Sequence, residues 1–331
     1  MPSVRLMEVC GTHTMSIAKN GIKSMLPEGV ELLSGPGCPV CVTPGGIIDS
    51  ILDLAMEDNV IISTYGDMVR VPGSTPGDNL ARRRALGAKI DIVYSPVDAI
   101  ETAKKNPDKE VVFLGVGFET TAPGTAASVL SAKDENVKNF SVLSMLKTCE
   151  PAIKTLIDMP GFNIDGFLLP GHVATIIGAK GFEFLPLPGV ISGFEAEDIL
   201  LAIKELLKLE KGVKNMYRRA VTYEGNLLAQ KVMEECFVKR ADNWRGLGYI
   251  EDSGLKFNDN LSDFDAEKKF DIKPKKEAVS ACRCGDVITG KISPADCPLF
   301  GKRCVPEDPV GPCMVSSEGA CAATYKYQWT N

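Results

Sequence analysis

Short runs of β-branched and apolar residues alternate with amphipathic stretches along the first two-thirds of this chain. The runs at 4–9, 30–33, 60–63, 90–94, 111–116, 140–143, 166–169 and 189–192 read as strands. Helical periodicity follows several of them, at 46–57, 79–86, 97–105, 125–133 and 196–209. Alternation of this kind predicts βαβ units and mostly parallel sheets. Runs that are apolar on both faces, Val-Val-Phe-Leu at 111–114 and Gly-Phe-Leu-Leu at 166–169, suit sheets covered by helices on both sides.

A weak echo runs through this pattern. Leu32-Leu33-Ser34-Gly35-Pro36-Gly37-Cys38 is answered by Phe167-Leu168-Leu169-Pro170-Gly171-His172, each a strand, a Pro-Gly pair, a reactive side chain and a helix former. The expected fold is therefore α/β: two similar doubly wound parallel-sheet domains, 1–95 and 96–212, and a third region, 213–331. That third region opens with a helical pattern running to about Lys239. A polar, aspartate-rich stretch at 258–271 follows, and then a cysteine-rich tail.

Composition narrows the function. At 331 residues, 44% of them hydrophobic, the chain buries a large core unaided. Its net charge of −6 argues against a nucleic-acid role. The one short basic run, Arg82-Arg83-Arg84, sits in a helical pattern and reads as a solvated or ion-paired face. No run of apolar residues reaches the length of a membrane span, and no signal-peptide core follows the first residues, so a cytoplasmic protein is expected.

In that compartment, cysteine clusters usually mean metal or redox chemistry. Six of the eleven cysteines fall at Cys282, Cys284, Cys297, Cys304, Cys313 and Cys321, with no histidine nearby. Disulfide staples suit short secreted chains rather than this one. Structural zinc favours C-x2-4-C knuckles and four ligands, whereas here the close pair is C-x-C and the thiols number six. An iron–sulfur cluster tolerates irregular spacing and would leave two thiols over, so the spacing leans that way.

Ligands of open α/β sheets bind beyond the carboxyl ends of the strands. Cys10-Gly11-Thr12-His13 follows the first predicted strand, Gly35-Pro36-Gly37-Cys38-Pro39-Val40-Cys41 the second, and Tyr65-Gly66-Asp67 the third. Gly117-Phe118-Glu119-Thr120-Thr121 follows the fifth and Pro170-Gly171-His172 the seventh. Cys38 and Cys41 form a C-x-x-C dithiol, placed before Thr43-Pro44 as an N-cap and first helical residue, suited to a reversible disulfide or to two metal ligands. Cys10 with His13 reads as a nucleophile and base or as two metal ligands; a hydrolase would also need an oxyanion site that the sequence does not place. His172 sits at a strand end like His13. Glu119 is an acid, a ligand or a neighbour of a helix start. Cys149 and Cys236 lie in helical patterns as core thiols. Neither a Walker A sequence nor a G-x-G-x-x-G motif occurs.

Taken together, these motifs resemble the HypD family of hydrogenase maturation factors. The resemblance covers Met7-Glu8-Val9-Cys10-Gly11-Thr12-His13-Thr14, the Gly35–Cys41 motif, Gly117-Phe118-Glu119-Thr120-Thr121-Ala122-Pro123 and Pro170-Gly171-His172. It continues through Trp244-Arg245-Gly246-Leu247-Gly248, Cys282-Arg283-Cys284-Gly285 and Met314-Val315-Ser316-Ser317-Glu318-Gly319-Ala320-Cys321. Chains of this family usually carry an extra segment before the Cys-Gly-Thr-His motif, whereas Cys10 here has nine residues ahead of it.

The resemblance implies a factor that assembles the active site of [NiFe]-hydrogenase. It implies a [4Fe–4S] cluster in the C-terminal domain, and a scaffold, formed with a HypC-like chaperone, on which a transient iron gains cyanide and carbon monoxide. Cyanide would come from HypE, itself charged by HypF. By the same resemblance, Cys10 shares the iron with HypC and His13 shapes its surroundings. Cys38 and Cys41 relay electrons or help to hold iron. Cys282, Cys297, Cys304 and Cys321 hold the cluster, and Cys284 and Cys313 form a second redox pair, an arrangement similar to that of ferredoxin:thioredoxin reductase. Two rival readings remain: an iron–sulfur-dependent cytosolic thiol–disulfide oxidoreductase, and a zinc-stabilised binding module.

Overall fold

The computed structural model describes residues 3–277 and 280–327; the outer ends of the expected first and third domains lie outside these. The chain opens with β1 (Val4–Glu8), α1 (Gly11–Lys19), β2 (Val30–Ser34), the one-turn α2 (Pro39–Val42) and α3 (Gly45–Leu54). Then come β3 (Val60–Thr64), α4 (Leu80–Ala85), β4 (Lys89–Ile92), α5 (Pro96–Lys105), β5 (Glu110–Gly117), α6 (Ala122–Asp134), β6 (Phe140–Leu146) and α7 (Cys149–Ile157). The next stretch holds β7 (Gly166–Pro170), α8 (Gly171–Ile177), β8 (Gly189–Ser192), α9 (Ala196–Leu206) and β9 (Val213–Asn215). Last are α10 (Leu227–Cys236), β10 (Phe237–Trp244), β11 (Gly248–Phe257), α11 (Ala266–Lys269), α12 (Cys284–Ile288) and α13 (Ala320–Tyr327).

Both large sheets are parallel, as the alternation requires. One has five strands in the order β2-β1-β7-β8-β9; the other has four, β4-β3-β5-β6. β3, β6, β7 and β8 are buried along their whole length, which is why their sequences are continuous apolar runs.

The sheets are not divided at residue 96. β1 and β2 leave the first sheet for the chain to build all four strands of the second, after which β7 returns to pair with β1, Leu6 opposite Gly166 and Glu8 opposite Leu168. The sequence echo therefore marks two strands of one sheet, β2 and β7 flanking β1, rather than matching strands of two sheets.

The third region also departs from expectation. α10 ends at Cys236, and residues 237–257, whose first part was expected to be helical, form an antiparallel hairpin. The hairpin has somewhere to pack: Thr148 N–H donates to the Ser253 carbonyl at 2.9 Å and the Ser144 hydroxyl to the Leu255 carbonyl at 2.6 Å. Tertiary contact with the β6 edge outweighs the local helical pattern. Its turn holds Gly246 and Gly248 at φ of +81° and +80°, a region that favours glycine. No helix among the described residues is long and apolar enough to cross a membrane.

Candidate functional site

β1 ends in Glu8, and Cys10 follows as the N-cap of α1 in extended conformation. The Gly11 N–H donates to the Gly37 carbonyl at 2.9 Å, tying the Cys10 loop to the one before α2. Gly37 is required here: a Cβ on it would overlap the backbone of Val9 and Cys10. Cys38 and Cys41 are joined as a disulfide with Cα atoms 5.2 Å apart. Cys38 is itself the N-cap of α2, its sulfur accepting the Cys41 N–H at 3.2 Å. The dithiol thus heads a helix of its own, with Pro39 as the first residue. Thr43 closes that helix, and Pro44 rather than Thr43 caps α3.

Cys10 is buried and its thiol is pushed up to about 12, first by burial and then by the nearby Glu318 and Glu8 carboxyls. It is a neutral thiol at rest. Glu8 is equally enclosed: Thr14 donates its hydroxyl to Oε1 at 2.6 Å, and the Cys10 N–H donates to Oε2 at 3.0 Å. Burial outweighs these bonds and raises the Glu8 carboxyl to about 7.

His13 is fully buried, with Nε2 2.8 Å from the Gly193 carbonyl. A carbonyl only accepts, so Nε2 carries the proton and Nδ1 presents a lone pair, which has no partner. Burial lowers this imidazole to about 4. Phe194 separates it from His172, which stacks on the same ring with centroids 3.8 Å apart but is itself exposed.

Glu119, at the end of β5, is buried and accepts the Cys149 N–H at 2.7 Å, so it caps α7. Burial raises its carboxyl as well. Cys149 is more than the core thiol its pattern suggested. It bonds Glu119 through its sulfur and lies close enough to Cys10 for that group to add to the cost of ionising it. Through it, the second sheet reaches the Cys10 centre. Cys236, in contrast, sits in the core against the Ala126 carbonyl.

The tail closes the site. α13 packs on α1, and Glu318, just ahead of α13, accepts the Thr12 hydroxyl at 2.6 Å. Asp67 accepts the Ser316 hydroxyl at 2.8 Å. The tail thiols form a chain: Cys282 contacts Cys284, Cys284 contacts Cys313, and Cys313 contacts Cys321. Cys304 feels both Cys321 and Cys297. Cys284, 2% exposed, lies 3.9 Å through its sulfur from the Cys41 carbonyl. Among the described residues no three His, Cys, Asp or Glu groups stand close enough to hold a single metal ion. The donor set is all thiol, the ligand chemistry that iron–sulfur clusters use. A cavity of about 650 Å³ opens beside α2, lined in part by Thr43, Pro44, Lys147, Arg240 and Asp242.

Of the residues singled out by sequence, Cys10, His13, Cys38, Cys41, Glu119 and His172 gather at the strand ends of the two sheets. Glu8, Cys149, Phe194 and Glu318 are added by the fold. Glu8 had a signal, a carboxylate in an apolar strand two residues before a cysteine; Phe194 and Glu318 depend on long-range packing.

Fold and site together define a two-sheet α/β protein with a buried thiol centre closed by a cysteine-rich tail. The chain belongs to the HypD family: the family model described as "HypD: Hydrogenase formation hypA family" matches residues 1–328. It is 44% identical over 335 residues to the hydrogenase maturation factor HypD of Escherichia coli (strain K12), covering 98% of this chain and 89% of that one. Identity is also 44% over 337 residues to the HypD of Cupriavidus necator, covering 97% and 89% of the two chains. To the hydrogenase expression/formation protein HupD of Azotobacter chroococcum it is 43% over 338 residues, covering 98% and 89%.

Proposed function

We propose that the protein serves hydrogenase maturation by holding an iron ion while that ion acquires cyanide and carbon monoxide. In this reading Cys10 supplies a thiolate that the iron shares with a HypC-like partner, and HypE delivers the cyanide. The observation that carries the reading is the continuity of the thiols: Cys10 is tied through Gly11 and Gly37 to the Cys38–Cys41 loop, and Cys284 touches Cys41.

A buried thiol at about 12 gives up its proton only when a cation takes its place, because metal binding displaces protons from ligands. Cys282, Cys297, Cys304 and Cys321 are the proposed holders of a [4Fe–4S] cluster, which supplies electrons one at a time when bound. Cys284 and Cys313 pass reducing equivalents on to Cys38–Cys41 through the interior. Two electrons and two protons convert that disulfide to two thiols.

The test is anaerobic purification of wild type, Cys10→Ala and Cys284→Ser/Cys313→Ser, with iron and sulfide assay and infrared spectroscopy after co-expression with the partners. About four irons and four sulfides per chain in all three proteins are expected, with cyanide and carbon monoxide bands missing from Cys10→Ala, which lacks the iron ligand, and from the double variant, which keeps the cluster but lacks the relay. A colourless, zinc-containing wild type would sink the redox mechanism. The preformed disulfide favours one second reading, a thiol–disulfide oxidoreductase. That reading predicts reduction of foreign disulfides, with no stable partner complex and no such bands.

A further inference from the structure

The loop between β10 and β11 touches both thiol systems at once. On one side, the Arg245 N–H donates to the Val42 carbonyl at 2.8 Å and its Nε–H to the Thr43 carbonyl at 3.1 Å. These are carbonyls at the end of α2, the helix that Cys38 caps. On the other side, Gly246 and Gly285 meet backbone to backbone, so close that a Cβ on either would overlap the other. Gly285 adjoins Cys284, whose sulfur faces the Cys41 carbonyl. Trp244, 1% exposed, anchors the loop by stacking on Phe118 and donating its indole N–H to the Ser253 hydroxyl at 2.9 Å.

We infer that Arg245 is a positioning residue for the Cys38–Cys41 pair: it holds the carbonyl end of α2 against the loop carrying Cys284, and so sets the balance between disulfide and dithiol. α2 is a single turn of four residues, too short to persist by its own hydrogen bonds. A disulfide needs its two Cα atoms at a fixed separation, and in α2 that separation is set by the helical turn. A clamp that keeps the turn wound holds the two sulfurs ready to join. When the S–S bond is reduced, two electrons and two protons enter and the cross-link no longer supports the turn. The clamp therefore favours the disulfide more than the dithiol. The inference rests on the reading of Cys38–Cys41 as a redox pair.

Lysine does not replace arginine at this position. Its ammonium carries no donor at the place of Nε, so it keeps the charge and the backbone bond to Val42 but loses the side-chain bond to Thr43. Electrostatics alone would act the other way, since a cation stabilises a thiolate and so favours the reduced form.

The experiment equilibrates full-length wild type, Arg245→Met, Arg245→Lys and Gly246→Ala with graded ratios of reduced to oxidised dithiothreitol. The state of Cys38 and Cys41 is read by differential alkylation and peptide mass spectrometry. Loss of one charge-assisted hydrogen bond is expected to move the equilibrium about tenfold toward the dithiol in both Arg245 variants. Gly246→Ala, which pries the loop from Gly285, moves it the same way. An unchanged equilibrium in the variants overturns the inference and leaves the redox reading standing. So does a shift toward the disulfide in Arg245→Met that Arg245→Lys restores, because charge and not position would then be the cause. If the wild-type pair does not exchange with dithiothreitol, the redox reading itself falls. Far-ultraviolet circular dichroism of each variant checks the fold, and Arg245→Lys, the mildest change, keeps the test decisive if another variant unfolds.

Discussion

Glu8 and His13 lie on either side of Cys10 and have opposite effects on stability as pH changes. The Glu8 carboxyl rises from 4.5 to about 7 in the folded protein, so between those values the native state keeps a proton that the unfolded chain has lost. Stability from this group is complete below 4.5 and drains away as pH rises through 7. His13 falls from 6.5 to about 4, so over that range the unfolded chain holds the proton and the native state does not. Its contribution is complete above 6.5 and is lost as pH falls through 4. Each group imposes a slope of about 1.4 kcal/mol per pH unit, with opposite signs. Across the two shared units, pH 4.5 to 6.5, they nearly cancel in the wild type. Glu8→Gln keeps the Thr14 and Cys10 contacts within reach of an amide and removes one slope, so stability should climb by about 3 kcal/mol from pH 4.5 to 6.5. His13→Gln should fall by about as much over the same interval. Urea unfolding at several pH values, taken as differences from wild type, measures both. Parallel pH profiles for the two variants would refute the argument, because a structural loss alone shifts a profile without tilting it.

Three further outcomes follow from packing and charge. Gly37→Ala places a Cβ against the Cys10 backbone and should cost roughly 2 kcal/mol or more in urea, with loss of iron binding on titration, while Gly124→Ala, in the first turn of α6 where a Cβ meets nothing, should be neutral to slightly stabilising. Lys147, 1% exposed, bonds Asp242 at 2.6 Å and the Asn243 carbonyl at 2.9 Å; Lys147→Met should destabilise by about 3 kcal/mol, at the low end for a buried pair because Asp242 reaches solvent. Thr12→Val leaves the half-enclosed Glu318 carboxyl without its hydroxyl donor and should cost about 1–2 kcal/mol, measured the same way.

The strands were legible in the sequence because most of them are buried on both faces and so appear as continuous apolar runs. The sheets they form were not. Pairing β1 with β7 joins residues 160 apart, and no local pattern marks the return of the chain to its first sheet. The hairpin at 237–257 was hidden for a related reason: its strands are half exposed, and packing on the edge of β6 decides what local propensity leaves open.

The placement of the candidate residues was more legible than the topology, and the reason is physical. In any parallel sheet the residues just past the strand ends share one edge, whatever the strand order, so Cys10, Cys38, His172 and Glu119 could be placed at strand ends before their sheets were known. Strand order decides which of them meet. With β1 set between β2 and β7, the Cys10 and His13 loop lies beside the Cys38 loop on one side and, through Phe194, His172 on the other. Glu119 belongs to the other sheet and reaches this centre only through Cys149, a thiol that helical periodicity assigned to the core. Periodicity reports that a side chain is buried; it is silent on which reactive group lies across the boundary. That is why the contacts of Cys149, Glu318 and Arg245, each made across a junction between distant stretches of chain, emerge only from the three-dimensional arrangement, although Glu318 and Arg245 stand in motifs the sequence had already marked.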